Sequence, residues 1–137
     1  MDTWKLLDLL CRCSIAIKST FGKQSHLITF SEYKFLSLID QGMNCSTMSK
    51  NLGISSAAVS KKISLLANKG FIHRDTPADK RAVKIRITAQ GKKAHTRMQK
   101  NFEDKFNTAF EMLSPEERQN LERGLFVLEK LITLLSP

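Results

Sequence analysis

Between Cys45 and Thr88 the apolar period of the chain changes from helical to alternating, with a glycine at each joint. The stretch reads CSTMSKNLGISSAAVSKKISLLANKGFIHRDTPADKRAVKIRIT. One short helical pattern starts near Ser46 and ends at Leu52 and Gly53. A second runs from Ser55 or Ser56 to Asn68, and Gly70 is its stop signal. Phe71 to Asp75 then reads as a short strand and Thr76 to Arg81 as a turn-rich tip. Ala82 to Ile87 alternates apolar and basic residues, which predicts Val83, Ile85 and Ile87 facing in and Lys84 and Arg86 facing out. Two short helices meeting at a glycine, followed by a hairpin, predict a winged helix-turn-helix.

The packing of such a unit assigns roles to its residues. Met48, Leu52, Ile54, Val59 and Ile63 fall at core positions, and Ser49 falls where the two helices approach most closely and a small side chain is needed. Gly53 sits at the turn, where a positive φ is expected. Lys62 occupies a position usually apolar in this motif, and its long stem can snorkel outward. Cys45 is expected to pack at the start of the first of these helices. The surface opposite Val59, Ile63 and Leu66 carries Ser55, Ser56, Ala57, Ser60 and Lys61, small groups and one cation at the end that enters a major groove. Serine hydroxyls bond base edges or phosphates, the Ala57 methyl can meet a thymine methyl, and Lys61 can reach guanine or phosphate. The plainer reading makes Ser55 a helix cap and Ser60 a solvated residue. At the tip, Asp79, Lys80 and Arg81 are candidates for a second contact. Arg81 would enter an adjacent minor groove with Asp79 holding it, and the plainer reading is a solvated charge run.

Charge supports a polyanion partner. The net charge is +9. Asn44 to Lys100 carries thirteen Lys or Arg against two acids, a net +11, and the rest carries nine bases against eleven acids, a net −2. A basic surface serving only solubility would be spread more evenly.

The flanks are helical and strongly apolar. Thr3 to about Thr20 places Trp4, Leu7, Cys11 and Ile15 at three- and four-residue steps, with a break expected near Phe21 to His26 around Gly22 and Ser25. A second helix is expected from about Ser31 to Asp40, with Thr29 or Ser31 as cap and Glu32 placed for a capping box. Thr88 is expected to cap a long helix to about Leu113 that carries Ala94, Met98, Phe102, Phe106 and Phe110. Ser114, Pro115 and Glu117 start a last helix carrying Leu121, Leu125, Leu128, Ile132 and Leu135. One small winged unit cannot cover both terminal helices, so a second copy of the chain is the economical partner.

The expected fold is therefore mainly α with a small β-wing, a winged helix-turn-helix plus a helical dimerisation region. At 137 residues the chain reads as one domain, with residues 29–90 as the DNA-binding lobe and residues 1–22 and 91–137 as the dimerisation region. No apolar run suits a membrane span and the N-terminus lacks a signal-peptide pattern, so the expected compartment is the cytoplasm. No nucleophile–base set, phosphate loop or metal-ligand cluster is present, so neither an enzyme nor a bound cofactor or metal is expected. His26, His73 and His95 are scattered. The three cysteines, an odd number, argue against a disulfide framework.

The helix-turn-helix, LLANKGFIHR, the wing ADKRAVKIRIT and the following AQGKK resemble the MarR family of bacterial winged-helix regulators. The Asp-x-Arg wing element followed by a strand and by Thr88 to Gly91 is the most specific part, and six helices in matching order extend the resemblance over nearly the whole chain. The resemblance implies a homodimer on a pseudo-palindromic double-stranded DNA operator, usually a repressor released by a small-molecule, metal or oxidant effector. It also implies base reading by Ser55 to Lys61 and minor-groove contact by Arg81. Cys11 and Cys13 lie in the helix where peroxide-sensing members carry a reactive cysteine, which makes them candidate redox sensors. Tyr33 is the one tyrosine, a poor match to that subgroup, and burial as small hydrophobes is the simpler account of both thiols. The alternative to a specific regulator is a winged helix used for non-specific DNA binding or for protein contacts.

Overall fold

The computed structural model describes residues 1–24, 28–75 and 84–136. The element order is α1 (Thr3–Gln24), α2 (Phe30–Asp40), α3 (Cys45–Leu52), α4 (Ser56–Asn68), β1 (Ile72–Asp75), β2 (Lys84–Ile87), α5 (Ala89–Phe110) and α6 (Pro115–Leu135). The chain divides into two compact units, Met1–Phe102 and Glu103–Pro137.

In the first unit each helix starts where a side chain can satisfy orphan N–H groups. Thr29 and Glu32 form a reciprocal capping box on α2: Glu32 N–H donates to Thr29 Oγ1 at 3.1 Å, and Thr29 N–H donates to Glu32 Oε1 at 3.0 Å. Asn44 caps α3, accepting from Thr47 N–H at 2.8 Å. This cap sets the start of α3 one residue before Ser46 and leaves Cys45 exposed, so the expected packing of Cys45 does not occur. Helix α1 does not break at Gly22 but runs on to Gln24. The reason lies at Phe21, which is 3% exposed and ring-stacked on Phe102 at 4.7 Å, with Phe30 and Tyr33 also against it. That burial holds the last turns of α1 in register despite the glycine, whose outer side is open.

The core draws on the helices of this unit and on β1, with Phe21, Ile28, Phe35, Leu36, Ile39, Met48, Val59, Ile63, Leu66, Phe71, Ile72, Ala94 and Met98 buried, and Ile85 and Ile87 of β2 pack against it. Burying each of the larger of these side chains, Ala94 apart, is worth about 1.5–3 kcal/mol. Two polar links tie helices across it. Lys69 Nζ, at the end of α4, lies 2.7 Å from Glu32 Oε2 on α2. Burial alone would raise the Glu32 pKa, but the hydrogen bonds and charge of Lys69, with the Thr29 hydrogen bonds, outweigh it and hold the carboxyl below its ordinary value. His95 on α5 stacks on Tyr33 at 4.6 Å and places Nε2 2.7 Å from Ser37 Oγ. The Ser37 hydroxyl donates to the Tyr33 carbonyl, so its oxygen is left to accept and His95 Nε2 is assigned the proton. Burial holds the imidazole below its ordinary pKa, with Asp40 opposing in part.

In the second unit, Ser114 and Glu117 form a capping box on α6 with Pro115 at its first position. The expected extension of α5 to Leu113 stops at Phe110. The chain there turns, and Arg118 takes up the freed carbonyls of Phe110, Leu113 and Glu111 at 2.9–3.2 Å while its guanidinium lies over the Phe110 ring. No residue of α6 is buried. No helix among the described residues is long and apolar enough to cross a membrane.

Candidate nucleic-acid interface

Helix α4 is two-sided because its sequence is. Val59 and Leu66 are fully buried and Ile63 nearly so, and this face docks on the core. Ser55, Ser56, Ala57, Ser60 and Lys61 are all exposed on the remaining surface. Ser55 is the N-cap, accepting from Ala58 N–H at 3.1 Å, so its side chain already has a structural task. The other four have no such task and present hydroxyls, a methyl and an ammonium at the N-terminal half of the helix. The plainer reading thus holds in part for Ser55, while the surface as a set remains available.

The turn that aims α4 depends on Gly53, whose φ of 64° lies in the left-handed region. A Cβ there would meet nothing within 4 Å, so the requirement is conformational rather than spatial. Ser49 serves the same turn: its hydroxyl donates to the Ile54 carbonyl at 2.6 Å. Ile54 departs from expectation. By sequence it falls at a core position, but it is 36% exposed, in the turn between the left-handed Gly53 and the N-cap Ser55.

The wing base is a two-stranded antiparallel sheet in the register Ile72–Ile87, His73–Arg86, Arg74–Ile85 and Asp75–Lys84. Ile85 and Ile87 are half-buried and Lys84 and Arg86 exposed, as the alternation predicts. Sequence reading missed the fastening here. Arg86 makes a forked pair with Asp75, Nε to Oδ2 at 2.9 Å and Nη2 to Oδ1 at 3.0 Å, and His73 Nε2 lies 3.3 Å from the same carboxylate. Arg74 Nη2 donates to Ser64 Oγ at 2.7 Å and so ties β1 to α4. The Arg86–Asp75 diagonal is the reach expected across an antiparallel pair, which was the available signal. Asp79, Lys80, Arg81 and Val83 lie outside the described residues.

Cys11, Cys13 and Cys45 are free and exposed, so the two thiols of α1 are not buried hydrophobes in the single chain. No group of His, Cys, Asp or Glu fit to hold a metal occurs among the described residues. Every buried side-chain polar atom among them has a partner.

Comparison with known proteins agrees with this geometry. No protein-family model matches the chain. Over 91 residues it is 26% identical to an uncharacterised HTH-type transcriptional regulator, YfiV, of Bacillus subtilis, a match covering 66% of this chain and 57% of that protein. The chain thus matches little more than half of the curated relative's length. Among solved structures, FabT of Streptococcus pneumoniae in complex with DNA superposes with a TM-score of 0.80 at 20% identity, covering 98% of this chain and 99% of that one. MepR of S. aureus, also in a DNA complex, gives 0.70 at 22% identity over 90% and 94% of the two chains. Wild-type MarR of E. coli, in its apo form, gives 0.72 at 20% identity over 96% and 97%. At these identities the likeness is one of fold, and it extends over nearly the whole chain. The protein therefore has the winged helix-turn-helix fold of the MarR-type transcriptional regulators.

Proposed function

We propose that this chain is a MarR-family transcriptional regulator that binds a specific double-stranded DNA operator as a homodimer, and that it acts as a repressor. The observation that carries the reading is α4. Its buried face fixes it to the lobe, and its opposite face offers Ser56, Ala57, Ser60 and Lys61 within the stretch of net charge +11. A convex, small-side-chain, cation-bearing helix is what a major groove admits. That FabT and MepR of the same fold were crystallised with DNA supports the assignment. Arg81 at the wing is proposed as the minor-groove contact.

The terminal helices support the dimer. Trp4 is 74% exposed and Ile15 66%, while Phe126, Leu134 and Leu135 on α6 are each about three-quarters exposed. Apolar surface of this extent in a single chain calls for a partner, and a second copy is the one that closes symmetrically. Two α4 helices would then read half-sites about one helical turn apart, ~10 bp. Redox control through Cys11 or Cys13 is the effector reading favoured by their exposure.

Selection of bound sequences from a random DNA pool, followed by competition with unrelated DNA, tests the proposal. An inverted repeat enriched over background is the expected result. Equal affinity for all sequences would instead assign the chain to non-specific binding. Repeating the binding with peroxide, with and without Cys11→Ser, tests the redox arm, and absence of an oxidant effect retires it.

A further inference from the structure

Helix α5 opens beside the C-terminal end of α4. The Thr88 hydroxyl holds the Gly70 carbonyl and Gly91 packs on the Phe71 carbonyl, so the first turns of α5 lie against the residues that follow Asn68. A cavity of about 220 Å³ opens there, lined by Phe71, Gln90, Lys93, Ala94 and Arg97, and its wall is almost wholly carbon. Lys93, Arg97 and Lys100 recur at steps of four and three residues and share one exposed face of α5. None of the three has an ion-pair or hydrogen-bond partner among the described residues. Residues 89–102 hold four Lys or Arg and no Asp or Glu. We propose that this face docks a partner protein through an acidic segment that carries one aromatic side chain, the ring filling the cavity and the carboxylates meeting Lys93, Arg97 and Lys100.

The chemistry narrows the partner. Three cations without a counter-charge favour an acidic segment over a neutral or basic one. The cavity favours an anchor that brings carbon against Phe71 and Ala94, and removing that surface from water adds to binding at ~25 cal/mol per Å². A ring suits it better than an aliphatic chain, because an ammonium or guanidinium at the rim is attracted to the face of an aromatic ring. The volume falls below the ~300–1,000 Å³ typical of drug-sized sites, which fits one side chain rather than a whole ligand. From Lys93 to Lys100 the helix rises ~10 Å, the reach of about three extended residues. Acids within two or three positions of the ring therefore meet the stripe.

DNA accounts for this face poorly. The proposed reading surface occupies the N-terminal half of α4, while the cavity lies beyond its C-terminal end, at Phe71. The 13 residues of α4 put about 20 Å between the two ends. A duplex backbone would offer phosphates to the cations and nothing to fill a carbon-lined cavity. Partner and operator would then be held at opposite ends of one helix, neither covering the other. The placement rests on α4 as the reading helix; the cavity and the unpaired cations do not.

Fluorescence anisotropy on the full chain, without DNA and at physiological salt, tests the docking. The probe is a labelled peptide with a central phenylalanine and three acidic residues on each side, and its counterpart carries alanine at the centre. Saturable binding of the phenylalanine peptide is expected, roughly tenfold or more tighter than that of the alanine peptide. Lys93→Gln and Arg97→Gln should each weaken it about threefold, as exposed ion pairs do, and together about tenfold. The melting temperature should not change, and Lys34→Gln on α2 should bind as wild type. No saturable binding overturns the proposal, as does an equal loss in Lys34→Gln. Equal binding of the alanine peptide also overturns it, and shows a basic patch that takes any polyanion. The chain saturated with its selected duplex should bind the peptide within about twofold of the free chain, since ~20 Å exceeds the ~8 Å screening length. Displacement of the peptide by the duplex overturns the proposal. If Lys93→Gln and Arg97→Gln weaken duplex binding and leave peptide binding unchanged, the face belongs to a DNA footprint and the proposal fails. Failure of any duplex to bind sinks the regulator reading and leaves the anisotropy result standing.

Discussion

Gly91 packs its backbone directly against the carbonyl of Phe71. A Cβ at position 91 would overlap that oxygen and lie 2.9 Å from Ile87 Cγ1. The same carbonyl accepts the N–H of Thr88 at 3.0 Å, while the Thr88 hydroxyl donates to the Gly70 carbonyl at 2.6 Å and accepts Gly91 N–H at 3.0 Å. The spacing from Thr88 to Gly91 is therefore a joint: threonine caps α5 and fastens it to the end of α4, and glycine lets the two backbones touch.

Gly91→Ala should destabilise the protein by about 3 kcal/mol, since relief requires backbone movement rather than a rotamer change. Gly124→Ala, on α6 with nothing within 4 Å, should go the other way by about 0.5–1 kcal/mol. Urea unfolding of the two variants checks both signs, and a neutral Gly91→Ala would refute the joint.

The Glu32–Lys69 link predicts a pH dependence. The folded Glu32 carboxyl lies below its ordinary value of 4.5, so the unfolded chain binds more protons around that pH. Its stabilisation is complete above the ordinary value and is lost as pH falls through the lower, folded one. Lys69→Met leaves the buried carboxylate with only its Thr29 partners and should cost about 2 kcal/mol at neutral pH. The wild-type advantage over Lys69→Met should shrink on acidification, as followed by thermal melts from neutral to acid pH.

Ser55 separates capping from recognition. Ser55→Ala removes the hydrogen bond to Ala58 N–H and should cost about 1 kcal/mol of stability. Ser60→Ala, on the exposed surface, should leave stability within about 0.5 kcal/mol while altering the selected DNA sequence. A selection identical to wild type for both Ser60→Ala and Lys61→Ala would remove α4 as the reading element.

The wing carries its own prediction. Arg81→Ala should weaken operator binding chiefly through flanking A·T segments, by about 1–3 kcal/mol. Gel-shift titration against operators with A·T and G·C flanks reads the difference, and unchanged affinity for both would refute the minor-groove contact.

Trp4, the one tryptophan and 74% exposed in the single chain, reports on pairing. Its emission should shift to shorter wavelength as concentration rises through the dimer transition. Phe126→Asp, which charges the apolar side of α6, should yield monomers in sedimentation velocity. A monomeric wild-type chain at all concentrations would refute the homodimer.

Much of this architecture is set by local sequence. The capping box of Thr29 and Glu32, the cap and proline at Ser114 and Pro115, and the left-handed turn at Gly53 are properties of a few adjacent residues. The alternation at Lys84 to Ile87 is equally local, and so is the two-sidedness of α4. Short-range hydrogen bonding and side-chain period suffice to fix these, so they are legible in the sequence. Tertiary structure decided what depends on distant partners. Phe102 and Tyr33 carry α1 through Gly22 by burying Phe21. Lys69 is drawn onto Glu32 across 37 residues. Asp75 is claimed by Arg86 through the strand register. Ile54 stands exposed in the turn between Gly53 and Ser55 and not in the core, because the path of the folded backbone, and not the hydropathy of one residue, determines which side chains the core can reach.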